Sequence, residues 1–169
     1  GVGKTTTMKA VASQPETVEL FDEVVMCTVS QNTDTMKIQR EIAGKLGFGL
    51  DERDDEPVRA GKLSQRIKQE SRILVILDDL WKRLDLVTVG IPTGVDHSGC
   101  KVVITTRSND VCNQMDSDVK IHVGVLSEPD SQELFMQKAF RTRGSDVDDQ
   151  RLFGLVQEVV KECGGLPLA

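Results

Sequence analysis

The chain has 169 residues and a formal net charge of −6, from 21 basic and 27 acidic side chains, and 38% of its residues are apolar. That length suits one ordinary domain, and its longest aliphatic run, Ile73–Leu77, falls far short of the ~20 residues that span a bilayer. The acidic balance argues against a dedicated nucleic-acid or anionic-membrane surface, and 4% aromatics with no Tyr leave little material for base-stacking platforms.

In chain order, Thr5 to about Ser13 reads as a short helix leaving a Gly-rich turn. Val24–Val29 is a compact run rich in β-branched residues, which predicts a buried strand. Ile38, Ile42 and Leu46 then repeat every four residues, an amphipathic helix with its N-cap at Thr33 or Asp34 and a stop at Gly47. Asp51 to Pro57 reads as an acidic loop, and Leu63 and Ile67 suggest a weaker helix ending near Ser71. Ile73–Leu77 is the second predicted strand, terminated by Asp78-Asp79. Lys101–Thr105 is the third, launched from the turn Ser98-Gly99-Cys100, and Ile121–Val125, which alternates weakly, is the fourth. Ser127-Glu128-Pro129-Asp130 has the pattern of a capping box, opening a helix that carries Leu134, Phe135, Ala139 and Phe140. Leu152, Val156, Val159 and Cys163 mark a last helix before the stop at Gly164-Gly165-Leu166-Pro167.

Continuous apolar strands separated by helices predict an α/β fold, a parallel sheet covered on both faces. The alternation ends after the fourth predicted strand. The expected organisation is therefore an α/β part over 1–126 and a small helical part over 127–169. Cys27, Cys100, Cys112 and Cys163 form no CxxC pair and do not cluster with either His at metal-ligand spacing, so they read as inert thiols in a reducing compartment.

Three segments carry chemistry. Gly1-Val2-Gly3-Lys4-Thr5 matches the second half of the phosphate-binding loop G-x-x-x-x-G-K-[ST]. Glycines there let successive N–H groups converge on phosphate oxygens, Lys4 would reach the β- and γ-phosphates, and the Thr5 hydroxyl would ligate Mg²⁺. The bland alternative is a Gly-rich turn before an exposed Lys. Asp78 leaves an apolar strand where such a fold delivers a carboxylate to the metal, and Asp79 is placed to orient or deprotonate an attacking water. Two solvated acids at a strand end are the other reading. Arg107, after Thr105-Thr106, can place its fork on a γ-phosphate or serve as a helix-capping or surface Arg.

Taken together, these segments resemble the NB-ARC domain of plant disease-resistance proteins of the nucleotide-binding, leucine-rich-repeat type, in the STAND branch of P-loop NTPases. Gly1–Thr6 is similar to the phosphate loop, Phe21–Gln31 to the first internal motif, Leu74–Trp81 to the Walker B block and Gly99–Arg107 to the sensor strand. Leu126–Phe135 resembles the next helical motif, and Gly165-Leu166-Pro167-Leu168-Ala169 the terminal signature. Trp81 after the acidic pair is similar to the coiled-coil subclass rather than the TIR subclass.

The resemblance implies a three-layer P-loop NTPase sheet followed by a helical subdomain. It makes Gly1, Val2, Gly3, Lys4, Thr5, Thr6, Arg107 and Pro167 nucleotide-binding, with Thr6 beside the α-phosphate and Pro167 against the adenine. Thr5 and Asp78 are the expected Mg²⁺ ligands and Asp79 the expected catalytic group. It also implies a cytoplasmic immune switch, held off by ADP and turned on by ATP, with slow hydrolysis. Coiled-coil and leucine-rich-repeat regions in the full-length protein, and self-oligomerisation on activation, belong to the same expectation. On this reading the chain is a partial domain starting inside the phosphate loop, with the preceding sheet strand missing, and poorly soluble or nucleotide-free alone. The competing readings are a nucleotide kinase-like phosphotransferase and a non-functional resistance-gene copy.

Overall fold

A computed structural model describes residues 1–139 and 150–167 of the chain. Phe140, Leu168 and Ala169, three of the residues named above, lie outside the described residues, as does the side chain of Leu152. The first helices are α1 (Lys4–Ala12) and α2 (Pro15–Leu20), followed by strand β1 (Glu23–Thr28). Helices α3 (Thr35–Lys45) and α4 (Glu56–Ile67) lead to strand β2 (Ile73–Leu80). A single helical turn, α5 (Leu86–Val89), precedes strand β3 (Cys100–Thr106) and helix α6 (Asn109–Gln114). Two further helices, α7 (Glu128–Ala139) and α8 (Gln150–Glu162), complete the described elements.

The three strands form one parallel sheet in the order β1-β2-β3, with Val25 opposite Val75 and Val75 opposite Val102. This is the α/β sheet with flanking helices that the alternating pattern predicts. Ile73 through Asp78 are all buried, because the central strand of a parallel sheet is covered on both faces. One face carries the main core: Val25 and Cys27 of β1 and Ile73, Val75 and Leu77 of β2 pack with Ile38 and Ile42 of α3 and Leu63 and Ile67 of α4. Burying a side chain of this size contributes about 1.5–3 kcal/mol.

Local chemistry sets the helix limits. Asp34 is the N-cap of α3, its carboxylate accepting from the Lys37 N–H at 3.0 Å. Asp55 caps α4 in the same way through the Val58 N–H at 3.0 Å, and Pro57 lies in the first turn, where its fixed φ is already helical. The acidic stretch expected to be loop up to Pro57 therefore turns helical at Glu56. The helix is also stronger than expected, because the buried stripe is Arg59, Ala60, Leu63 and Ile67, whose first member is not apolar. It ends at Ile67 rather than near Ser71; the next N–H groups, of Gln69 and Glu70, bond three residues back, to Arg66 and Ile67.

Polar groups lock this layer as well. The fully buried Arg59 donates Nη2–H to the Met36 carbonyl at 3.2 Å. Gln39, also fully buried, donates from Nε2 to the carbonyls of Glu56 and Thr88, both at 3.2 Å, tying α3 to α4 and α5. At the end of α5, Gly90 adopts φ +95°, and a Cβ there would lie 2.3 Å from the Ala60 carbonyl oxygen. Only glycine fits that approach.

Two expectations are corrected. No strand forms at Ile121–Val125: Ile121 is 84% and Val125 58% exposed, so the weak alternation never gains a buried face. Strand β2 does not stop at Leu77 but continues through the acidic pair to Leu80. Leu77 is opposite Ile104 and Leu80 opposite Thr106, so an extra residue is accommodated as a bulge, with Asp79 at φ +57°.

The chain divides into two compact units, Thr5–Lys120 and Gly1–Lys4 with Ile121–Ala169. The first holds the sheet. In the second, α7 packs on α8, and the Leu126 N–H donates to the Gly165 carbonyl at 2.9 Å. Ser127 caps α7, its Oγ accepting from the Asp130 N–H at 3.3 Å; the Asp130 carboxylate accepts from the Ser127 Oγ–H at 2.5 Å, so of the expected capping box the hydroxyl half is the one made. The buried stripe of α8 is Val156 and Val160, whereas Val159 is 43% exposed and falls off the stripe expected for it.

Candidate functional site

Helix α1 begins at Lys4 immediately after Gly3, which sits at φ +90°. Glycine supplies that conformation, and the turn puts Lys4, Thr5 and Thr6 in the first helical turn, whose N–H groups have no intrahelical acceptor. Thr6 is exposed, and Val2, Lys4 and Thr5 are half-buried. Lys4 has no carboxylate partner among the described residues. Pro167 lies against the loop: a Cβ built on Gly3 would be 3.7 Å from its Cγ. Pro167 also helps to line an apolar cavity of about 350 Å³ with Leu126, Leu134, Phe135, Val160 and Leu166.

The centre of the site is Asp78, only 1% exposed. Thr5 donates Oγ1–H to Asp78 Oδ2 at 2.8 Å, and Thr105 donates Oγ1–H to Asp78 Oδ1 at 2.6 Å. Thus α1, β2 and β3 converge on one carboxylate. Among the described residues no Lys or Arg pairs with it. A buried carboxylate met only by neutral hydroxyls is costly, and a cation is the ordinary way to offset it. A hydroxyl keeps two acceptor lone pairs while it donates, so Thr5 can hold Asp78 and a cation together. Among the described residues no three His, Cys, Asp or Glu side chains form a metal cage. One carboxylate and one hydroxyl fit Mg²⁺, which commonly takes its remaining ligands from phosphate and water.

Asp79, one residue on and within the bulge, has its own set of partners. Its N–H donates to Thr105 Oγ1 at 2.9 Å, so one hydroxyl fixes both acids. Its Oδ2 accepts from the Trp81 Nε1–H at 3.1 Å, and its Oδ1 lies 3.4 Å from Arg107 Nε. The Arg107 guanidinium lies 5.0 Å from the centroid of the Trp81 ring. Arg107, expected as a γ-phosphate contact, is thus placed on Asp79 and Trp81.

The structure brings Thr5, Asp78, Asp79 and Arg107 together through residues 5–107, and brings Gly3 to Pro167. Two participants were missed by sequence reasoning. Thr105 was passed over beside Arg107, although a hydroxyl at a buried strand position, here 7% exposed, needs a polar partner. Trp81 served only as a subclass marker, and no local pattern reveals that its indole N–H turns back to Asp79. The thiols behave as expected of buried cysteines: Cys27 is pushed up to about 12 by burial and by the neighbouring Glu41, and Cys100 to about 11 by burial.

A family model for the NB-ARC domain matches residues 1–145. Along its whole length the chain is 36% identical to disease resistance protein RPS5, 34% to disease resistance protein At4g27190 and 36% to disease resistance protein UNI, all of Arabidopsis thaliana. It covers 19%, 17% and 19% of those proteins, about a fifth of the length of the curated relatives it matches. With its phosphate loop, parallel sheet and buried Walker B carboxylate, the chain belongs to the NB-ARC domain family of nucleotide-binding P-loop modules.

Proposed function

We propose that the chain is the ADP/ATP-binding switch module of an intracellular plant immune receptor of the coiled-coil, leucine-rich-repeat type. The observation that carries this reading is the convergence of Thr5, Asp78 and Thr105, which joins the phosphate loop to the Walker B strand. Residues 1–126 form the nucleotide-binding subdomain and 127–169 belong to the helical one. The parent receptor is cytoplasmic and oligomerises on activation. Among the described residues no helix is long and apolar enough to cross a membrane.

Each group has a task. Gly1, Val2 and Gly3 turn the backbone so that the N–H groups at the start of α1 receive the phosphates, Lys4 neutralises the β- and γ-phosphates, and Thr6 contacts the α-phosphate. Pro167 offers an apolar surface to the adenine. Thr5 and Asp78 hold Mg²⁺, which when bound neutralises charge on the phosphate oxygens. Asp79 holds the attacking water and accepts its proton at a carboxylate oxygen. Arg107 exchanges Asp79 for the γ-phosphate, so ATP engages a group that ADP leaves on the protein.

The energetics are adequate for a switch. Moving a two-state equilibrium from 1:99 to 99:1 takes ~5.5 kcal/mol of differential binding, and a hydrogen bond to a charged group contributes ~1.5–3 kcal/mol. Two or three γ-phosphate contacts reach that total. Hydrolysis is slow and resets the switch.

Titration calorimetry with ADP tests the assignment. Lys4→Ala is expected to abolish measurable binding while circular dichroism stays that of the wild type. Unchanged ADP affinity in Lys4→Ala would remove the phosphate loop from the function.

A further inference from the structure

Trp81, Asp79 and Arg107 form a closed three-membered contact, in which each side chain touches the other two. Trp81 donates Nε1–H to Asp79 Oδ2 at 3.1 Å, Asp79 Oδ1 lies 3.4 Å from Arg107 Nε, and the guanidinium lies 5.0 Å from the centroid of the indole. Asp79 does not reach this position without constraint. Its φ of +57° is disfavoured for a residue with a Cβ, and it lies within the bulge in β2. Trp81, 41% exposed, is too open to serve mainly as core packing.

We propose that Trp81 is a positioning residue that holds the Asp79 carboxylate and the Arg107 guanidinium as one aligned unit, through its N–H and its ring face respectively. The proposal rests on the reading of Asp79 and Arg107 as the groups that act on ATP. Both are mobile by nature. A carboxylate on a bulge rotates freely about χ2, and an exposed Arg loses much rotamer freedom when it is fixed. The indole N–H selects one carboxylate rotamer and leaves Oδ1 toward Arg107. The ring face keeps the guanidinium close by while it is off the carboxylate, so exchange from Asp79 to a phosphate needs a short displacement rather than a search. Phenylalanine in place of Trp81 keeps a face for Arg107 and loses the donor; leucine loses both.

Two measurements test this. Trp81 is the only tryptophan of the chain, so the ¹⁵N–¹H spectrum contains a single indole N–H resonance. It is expected downfield in the wild type and to move upfield in Asp79→Gly, which removes the carboxylate and tolerates the positive φ. A smaller shift is expected in Arg107→Gln. Single-turnover ATP hydrolysis is expected to fall about tenfold in Trp81→Phe, the scale of one hydrogen bond to a charged group, and further in Trp81→Leu, with ADP affinity within about twofold of wild type in both. A merely structural Trp81 would lower affinity and rate together, and that result overturns the proposal. An indole resonance that does not respond to Asp79→Gly overturns it whatever the rates are. Full-rate hydrolysis by Asp79→Gly would instead overturn the role given to Asp79, and the resonance still decides whether Trp81 holds it.

Discussion

Thr105→Val is the sharpest single perturbation of the site, because valine keeps the branched shape and deletes only the hydroxyl that joins the two acids. In the wild type that hydroxyl donates to Asp78 Oδ1 at 2.6 Å and accepts from the Asp79 N–H at 2.9 Å. A hydrogen bond to a charged group contributes ~1.5–3 kcal/mol, and an N–H left without its acceptor costs ~1–3 kcal/mol when buried. Asp79 is half-exposed, so water recovers part of the second term, and a total of about 3 kcal/mol is expected. That is a large share of the ~5–15 kcal/mol by which domains are usually stable. With a urea m-value of about 2 kcal/mol/M, the midpoint falls by about 1.5 M. Thr105→Ser, which retains the hydroxyl, should recover most of the loss. A midpoint within about 0.3 M of wild type for Thr105→Val, or equal losses for Val and Ser, would refute the bridging role.

Three other outcomes follow from the same contacts. Asp78→Ala should retain ADP and lose Mg²⁺-dependent hydrolysis, as read by calorimetry and phosphate release; hydrolysis at the wild-type rate would contradict the metal assignment. Gly90→Ala should destabilise by about 1–3 kcal/mol from the left-handed backbone alone, with a further cost from the Ala60 carbonyl, and a chemical-denaturation curve measures it. The raised thiols give a pH signature: Cys27 titrates at about 12 and Cys100 at about 11 in the folded chain, against 9.0 in the unfolded one. Their stabilisation is complete below pH 9 and is lost as the pH rises toward 11–12, by at most ~1.4 kcal/mol per pH unit and thiol, because the unfolded chain gives up its protons first. Cys27→Ala should flatten that decline.

The loop and the strands were legible because their signals are local. Gly3-Lys4-Thr5 and the aliphatic run before Asp78 state a backbone conformation and a burial pattern within a few residues. The same locality explains the errors. Ile121–Val125 has strand-like alternation, but a strand needs a neighbour and a buried face, and neither is specified within five residues. In α4 the charge of Arg59 hid the first position of the buried stripe, because the carbonyl that receives it, on Met36, belongs to another helix.

The sequence by itself determined the α/β class, the family and the identity of the acids, since these depend on composition, order and spacing along the chain. Tertiary structure decided what those acids touch. Thr5, Asp78 and Thr105 are separated by 73 and 27 residues, and only the parallel register of β2 on β3, with α1 set against the strand end, puts two hydroxyls on one carboxylate. The left-handed backbone of Asp79 was also decided there. A bulge is a mismatch between two strands, so neither strand encodes it alone. The two acids are adjacent in sequence, but folding buries Asp78 against Thr5 and Thr105 and leaves Asp79, in the bulge, on Trp81 and Arg107.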